Sequence, residues 1–122
     1  MVYEKESYAI RGALFEVYSV LGTGFSEEIY QEAMERELSI RNIPFESQKA
    51  LRLFYKGSVM DKMYRADIVC YDAIILELKA VKALLPEHEA QLLNYLKVSQ
   101  LPLGFLVNFN HFPNLDVKRF VS

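Results

Sequence analysis

The stretch from Tyr64 to Ala80 constrains this chain more than any other. It reads Tyr-Arg-Ala-Asp-Ile-Val-Cys-Tyr-Asp-Ala-Ile-Ile-Leu-Glu-Leu-Lys-Ala, two runs rich in Ile, Val and Leu around a short polar break. Runs of this kind form strands that lie deep in a sheet. Three ionisable residues nevertheless sit inside them: Asp67, Glu77 and Lys79. A charge in such a place is costly unless it is paired or bound to a metal. Strand side chains alternate between faces, so Glu77 and Lys79 point one way and Leu76 and Leu78 the other. Asp67 and Glu77 are equally far from Asp72. A three-residue loop at Tyr71-Asp72-Ala73 therefore sets Asp67 directly opposite Glu77. A two-residue loop sets it opposite a neighbour of Glu77, on the wrong face. The first register brings two carboxylates and a lysine to one point. For an isolated Glu-x-Lys the ordinary explanation is a buried ion pair, so the rest of the chain has to decide.

A chain of 122 residues suits one compact domain, 1–122, with a real core. With 52% apolar residues it is expected to fold rather than remain disordered. No apolar run approaches a membrane span, and Met1-Val2-Tyr3-Glu4-Lys5-Glu6 lacks an apolar signal core. Cys70 is the only cysteine, which excludes an internal disulfide and a cysteine-based zinc cage. The expectation is a cytoplasmic protein without a membrane partner. The net charge of −2 argues against indiscriminate binding to nucleic acid, but its distribution is uneven. Met1 to Gln48 holds four basic and nine acidic residues, whereas Lys49 to Lys82 holds seven basic and four acidic ones. Basic charge thus gathers around the carboxylate pair.

In chain order, Glu4 to Val20 reads as a helix with Ile10, Leu14 and Val17 on an apolar stripe and Ala13 beside it. Leu21 to Phe25 breaks it. Its Gly-x-Gly follows no strand and has no third glycine, so it is not a dinucleotide fingerprint. Ser26 is placed to cap a second helix running to about Arg41, with Glu27 and Glu28 in its first turn. Tyr30, Met34 and Leu38 form its inward stripe, and Glu27 lies on that stripe one turn earlier. Asn42 and Pro44 end it. Phe45 to Tyr55 is a strand, Lys56-Gly57 a turn, and a second strand runs from Ser58 into the Asp67 segment. Ile74 to Ala80 is the third strand. Pro86 opens a helix over Glu87 to about Ser99, with Leu92, Leu93 and Leu96 as its core face and His88, Gln91 and Tyr95 on the flank. Leu103 to Phe109 returns as an apolar strand, which the crossover makes parallel to an earlier one. Val117 to Val121 forms a last short strand. The fold class is α/β, a central mixed sheet flanked by helices.

The Asp67, Glu77-x-Lys79 constellation resembles the active site of the PD-(D/E)XK nuclease superfamily. Gly24, Glu27 and Tyr30 spell Gly-x-x-Glu-x-x-Tyr, and with them the chain resembles the small bacterial GxxExxY family of that superfamily. Gln91 and Tyr95, one helical turn apart after Glu-x-Lys, resemble the corresponding helix of its RecB-like branch. The resemblance runs from about Glu6 to Phe109 and implies a restriction-endonuclease-like core. It also implies a metal site made by Asp67, Glu77 and the Leu78 carbonyl, with Mg2+ or Mn2+ as cofactor. Hard oxygen ligands suit those ions. Lys79 would assist the attacking water, Glu27 would contribute a third acid directly or through water, and Gln91 and Tyr95 would hold water or phosphate. The implied partner is nucleic acid, DNA in the first place.

Other schemes find no support. The chain has no zinc helix, phosphate loop or nucleophile elbow. Cys70 reads as a packing residue. His88 and His111 have no partner that the sequence identifies. Two non-enzymatic classes stay open: a silent nucleic-acid-binding or protein-interaction module, and a homodimer module for which the 13% aromatic content leaves room.

Overall fold

The computed structural model describes residues 3–122; Met1 and Val2 lie outside them. Its elements run α1 (Glu4–Leu21), α2 (Glu27–Ile40), β1 (Phe45–Tyr55), β2 (Ser58–Cys70), β3 (Ile74–Lys79), α3 (Pro86–Ser99), β4 (Leu103–Asn108) and β5 (Asp116–Val121). The strands form one sheet in the order β1-β2-β3-β4-β5. All neighbours are antiparallel except β3 and β4, which the α3 crossover makes parallel. The mixed α/β sheet expected from the sequence is therefore present, with β3 at its centre.

Two apolar layers enclose the sheet. On one face Ile10, Leu14 and Val17 of α1 and Tyr30, Met34 and Leu38 of α2 pack on Ile74, Leu76, Phe105 and Val107. On the other, Leu92, Tyr95 and Leu96 of α3 pack on Val69, Ile75 and Leu106. The inward stripe of α3 differs from the sequence expectation: Leu93 is 48% exposed and Tyr95 takes its place in the core. Residues 92, 95 and 96 share one face of a 3.6-residue helix, and Leu93 lies about 100° round from Leu92. A side-chain carbon on Gly104 would come within 2.9 Å of Leu92 Cδ1, so this glycine lets α3 lie close over β4.

Ser26 stands at the N-cap of α2 but its side chain makes no capping bond. Tyr30 fixes this end of the helix instead. Its hydroxyl donates to the Gly22 carbonyl at 2.5 Å and accepts the Phe25 N–H at 3.3 Å, and its ring stacks on Phe109 at 4.5 Å. Gly24 adopts φ +102, a backbone conformation that suits glycine, and its N–H donates to Asn110 Oδ1 at 3.1 Å.

The sheet forks beside its centre. The paired register of β2 and β3 is Ile68 with Leu76, Val69 with Ile75 and Cys70 with Ile74. Beyond Asp67 the strand β2 continues with β1 alone. Gln48, which stands across from Asp67 on β1, takes φ +50, and both strands switch side-chain sense at this point. Ile68 and Cys70 belong to the layer under α1 and α2, whereas Ala66 and Tyr64 pack with α3.

Candidate active site

The fork exposes backbone groups that a continuous ladder would have paired, and the acids occupy it. The hairpin loop is Tyr71-Asp72-Ala73, with Tyr71 and Asp72 both left-handed, so the register extends to set Asp67 against Glu77. The Asp67 N–H donates to Glu77 Oε2 at 2.8 Å, and the Leu78 N–H donates to Asp67 Oδ2 at 2.8 Å. Each carboxylate thus accepts an N–H from the opposite strand, and the Gln48 side chain bonds Asp67 as well. A strand residue's N–H and C=O point the same way, so the Leu78 carbonyl also faces the fork. From α2, Gln31 Nε2 donates to the Asp67 carbonyl at 3.0 Å.

Glu77 is 3% exposed, and Asp67 is half-buried beside it. Burial, then the Asp67 charge facing it, pushes the Glu77 carboxyl from 4.5 up to about 8. Burial likewise raises Asp67, opposed by the Leu78 N–H and the Lys79 charge. Among the described residues no Lys, Arg or His lies within 4.0 Å of either carboxylate as an ion pair. Lys79 Nζ donates instead to Gln91 Oε1 at 3.0 Å. The simple ion pair that the sequence left open is therefore not how Lys79 is held.

The remaining sequence candidates meet the same end of β3. Glu27 is exposed at the start of α2, and its Oε2 lies 3.4 Å from the Ala80 N–H that donates to it. Gln91 meets Lys79 from α3 on the other face of the sheet. Tyr95 is buried against Tyr64, ring centroids 5.1 Å apart; burial first, then the charges of Glu77 and Asp67, raise its hydroxyl. Asn108 clamps the chain leaving β3, accepting the Val81 N–H at 3.0 Å and donating to the Val81 carbonyl at 2.9 Å. Sequence reasoning missed Gln31, Gln48 and Asn108. Gln31 was within reach, since it lies one turn after Glu27 on the same face of α2.

Cys70 is buried and its thiol is pushed up to about 12 by burial, so it packs rather than reacts. His88 accepts the Leu85 N–H at its own helix start, and His111 meets the Asn114 carbonyl in a loop. A cleft of about 300 Å³ opens at the fork between Asp67, Leu78 and the α2 side chains Glu27, Glu28 and Gln31. Among the described residues no three His, Cys, Asp or Glu side chains converge into a ready-made metal cage. The donors at the fork are two carboxylates and a carbonyl. They are all hard oxygens, and the negative charge lacks a direct cationic partner. That set fits a magnesium-like ion with water completing its shell.

The profile of the PD-(D/E)XK nuclease superfamily matches residues 4–120, and the chain belongs to that superfamily. Among solved structures, SSO0001 superposes with a TM-score of 0.60 over 98% of this chain, at 21% identity. The match covers 59% of that protein, so this chain spans about three fifths of its length. The likeness extends to the fold, which is restriction-endonuclease-like. No curated protein matches the sequence. No helix among the described residues is long and apolar enough to cross a membrane.

Proposed function

We propose that this chain is a metal-dependent nuclease that hydrolyses phosphodiester bonds of nucleic acid, DNA in the first place. The observation that carries the reading is the facing pair of buried Glu77 and half-buried Asp67, neither joined to a cation by an ion pair within 4.0 Å among the described residues. Two carboxyls held together in this way, one pushed up to about 8, are tolerated where a site needs them. Asp67, Glu77 and the Leu78 carbonyl are the ligands in this reading, with Mg2+ or Mn2+ as the ion. Such an ion, when bound, lowers the pKa of water and polarises the phosphoryl group.

The chain's own groups supply the rest. The Lys79 side chain, held by Gln91, orients the attacking water or takes its proton as the neutral amine, or as the ammonium offsets charge growing on phosphate. Glu27 acts from the mouth of the cleft through water. Gln91 and Tyr95 position water or phosphate on the α3 side. We also assign the chain to the GxxExxY group on Gly24, Glu27 and Tyr30. Tyr30 and Gly24 fix the loop that sets Glu27 over Ala80, which gives all three motif positions a reason. A silent binding module would leave the two carboxylates no purpose beyond capping N–H groups that neutral residues cap equally well.

The test is Mn2+ binding by calorimetry together with cleavage of a mixed DNA and RNA panel in Mg2+ or Mn2+, for wild type and Lys79→Ala. Metal binding by both proteins with cleavage by wild type alone is the expected result. A wild-type protein that binds no divalent ion and cuts nothing overturns the reading.

A further inference from the structure

Past the fork, β1 and β2 run on as a two-stranded ribbon that no third strand among the described residues joins. Because β2 is antiparallel to β3, the ribbon leaves the sheet at the Lys79 end of β3. Its base rests on α3 through Leu51 and Tyr64, and every residue from Phe54 to Lys62 is exposed. The nine residues from Ser58 to Ala66 give a reach of about 30 Å.

The tip is not composed like an ordinary solvated turn. Phe54 is 67% exposed and Tyr55 65%, on opposite faces of the strand. Arg52 to Arg65 holds four basic residues (Arg52, Lys56, Lys62, Arg65) and one acidic residue (Asp61). Among the described residues none of Arg52, Lys56 and Lys62 forms an ion pair within 4.0 Å. Lys56 lies 5.6 Å from the Tyr55 ring centroid. The opposite wall of the cleft, on α2, carries Glu27, Glu28, Glu32 and Glu35 and repels a polyanion. Pairing ribbon with ribbon in a two-fold dimer would bring like charges together. Free cations interleaved with exposed aromatic rings match a chain of phosphates bearing bases.

We propose that this ribbon is a nucleic-acid-binding arm, with Phe54 and Tyr55 as stacking platforms and Arg52, Lys56 and Lys62 as phosphate contacts. The arm rests on the nuclease reading for its purpose: it holds the strand that enters the fork from the α3 side, away from the acidic wall.

The experiment uses the full chain in EDTA, where cutting is suppressed, and a fluorescent single-stranded DNA of about 30 nucleotides, long enough to span site and arm. A Phe54→Ser/Tyr55→Ser double variant should bind about tenfold or more weakly. An Arg52→Gln/Lys56→Gln/Lys62→Gln variant should flatten the slope of log affinity against log salt by about 2. Both should keep the wild-type Tm, since the tip is outside the core. Unchanged affinity and slope in variants of wild-type Tm overturn the arm, as does a loss of self-association with no change in affinity. The two readings fail separately. Cleavage in Mn2+ with binding indifferent to the ribbon overturns the arm alone. Ribbon-dependent binding by a protein that cuts nothing upholds the arm and overturns the nuclease.

Discussion

Glu77 Oε2 accepts the backbone N–H of Asp67, the residue directly across the hairpin, at 2.8 Å. Asp67 returns the arrangement through Oδ2, which accepts the N–H of Leu78 at 2.8 Å. The two acids therefore close the fork that they occupy. Holding β2 beside β3 uses one oxygen of each side chain, and the proposed metal binding would use the other, which makes the two roles separable by experiment.

Neutral isosteres should separate them. Asp67→Asn and Glu77→Gln keep an acceptor oxygen for the strand N–H and remove one of two facing charges. Each variant is expected to match or exceed wild-type stability at pH 8 in EDTA, by about 0.5–2 kcal/mol, while losing Mn2+ affinity and cleavage. Chemical denaturation and calorimetry check both halves. A strongly destabilised Glu77→Gln would mean that the carboxylate charge itself holds the fork.

The pH dependence follows from the same pair. The Glu77 carboxyl rises from 4.5 to about 8 on folding. Between those values the folded state binds more protons than the unfolded one, so the contribution of Glu77 to stability is full below about 4.5 and is lost as pH rises through about 8. Asp67 shifts in the same direction and adds to the decline. In EDTA the Tm should fall by more than about 5 °C across that window. Added Mn2+ should reverse most of the fall at the alkaline end, because binding requires the ionised form. A flat Tm profile in EDTA would refute the burial argument.

Lys79 is the residue on which chemistry and folding differ most clearly. Its ammonium bonds Gln91 and makes no direct ion pair with either acid. Lys79→Met is expected to lower cleavage by about two to four orders of magnitude with Tm and Mn2+ binding near wild type. If Lys79 were the structural counter-ion, the same change would destabilise the fold by roughly 3–5 kcal/mol.

Tyr30 and Gly24 should act through Glu27. Tyr30→Phe removes the hydroxyl that bonds Gly22 and Phe25, at a cost of about 1–2 kcal/mol. Gly24→Ala meets no atom within 4 Å, so its cost, about 1–2 kcal/mol, is backbone strain at φ +102 alone. Both variants should lose cleavage while Mn2+ affinity changes little, since Asp67, Glu77 and Leu78 are untouched. Loss of Mn2+ binding in either would place Glu27 among the direct ligands.

Local rules carried the sequence a long way here. Strand and helix bounds, the Lys56-Gly57 turn and the Asp67–Glu77 register all follow from period, turn length and symmetry about Asp72, which depend only on near neighbours in the chain. The inward stripes of α1 and α2 follow from the same periodicity. What failed was also local in origin. Leu93 looked apolar enough for the core and Tyr95 polar enough for the flank, yet α3 turns Tyr95 inward onto Tyr64, a partner thirty-one residues away in sequence.

The sequence by itself determined which side chains share a strand and a register, because alternation and loop length act between adjacent residues. Only the tertiary structure decided that β2 leaves β3 at Asp67, that Gln48 turns left-handed beside it, and that side-chain sense reverses there. No propensity at Asp67 or Gln48 announces a fork. It arises because β2 follows β1 while β3 follows β4, and the twist of the sheet carries the two pairs apart. Gln31 and Glu27 meet the backbone of Asp67 and Ala80 from one face, and Gln91 meets Lys79 from the other, so helices on opposite sides of the sheet reach the strands that carry the acids.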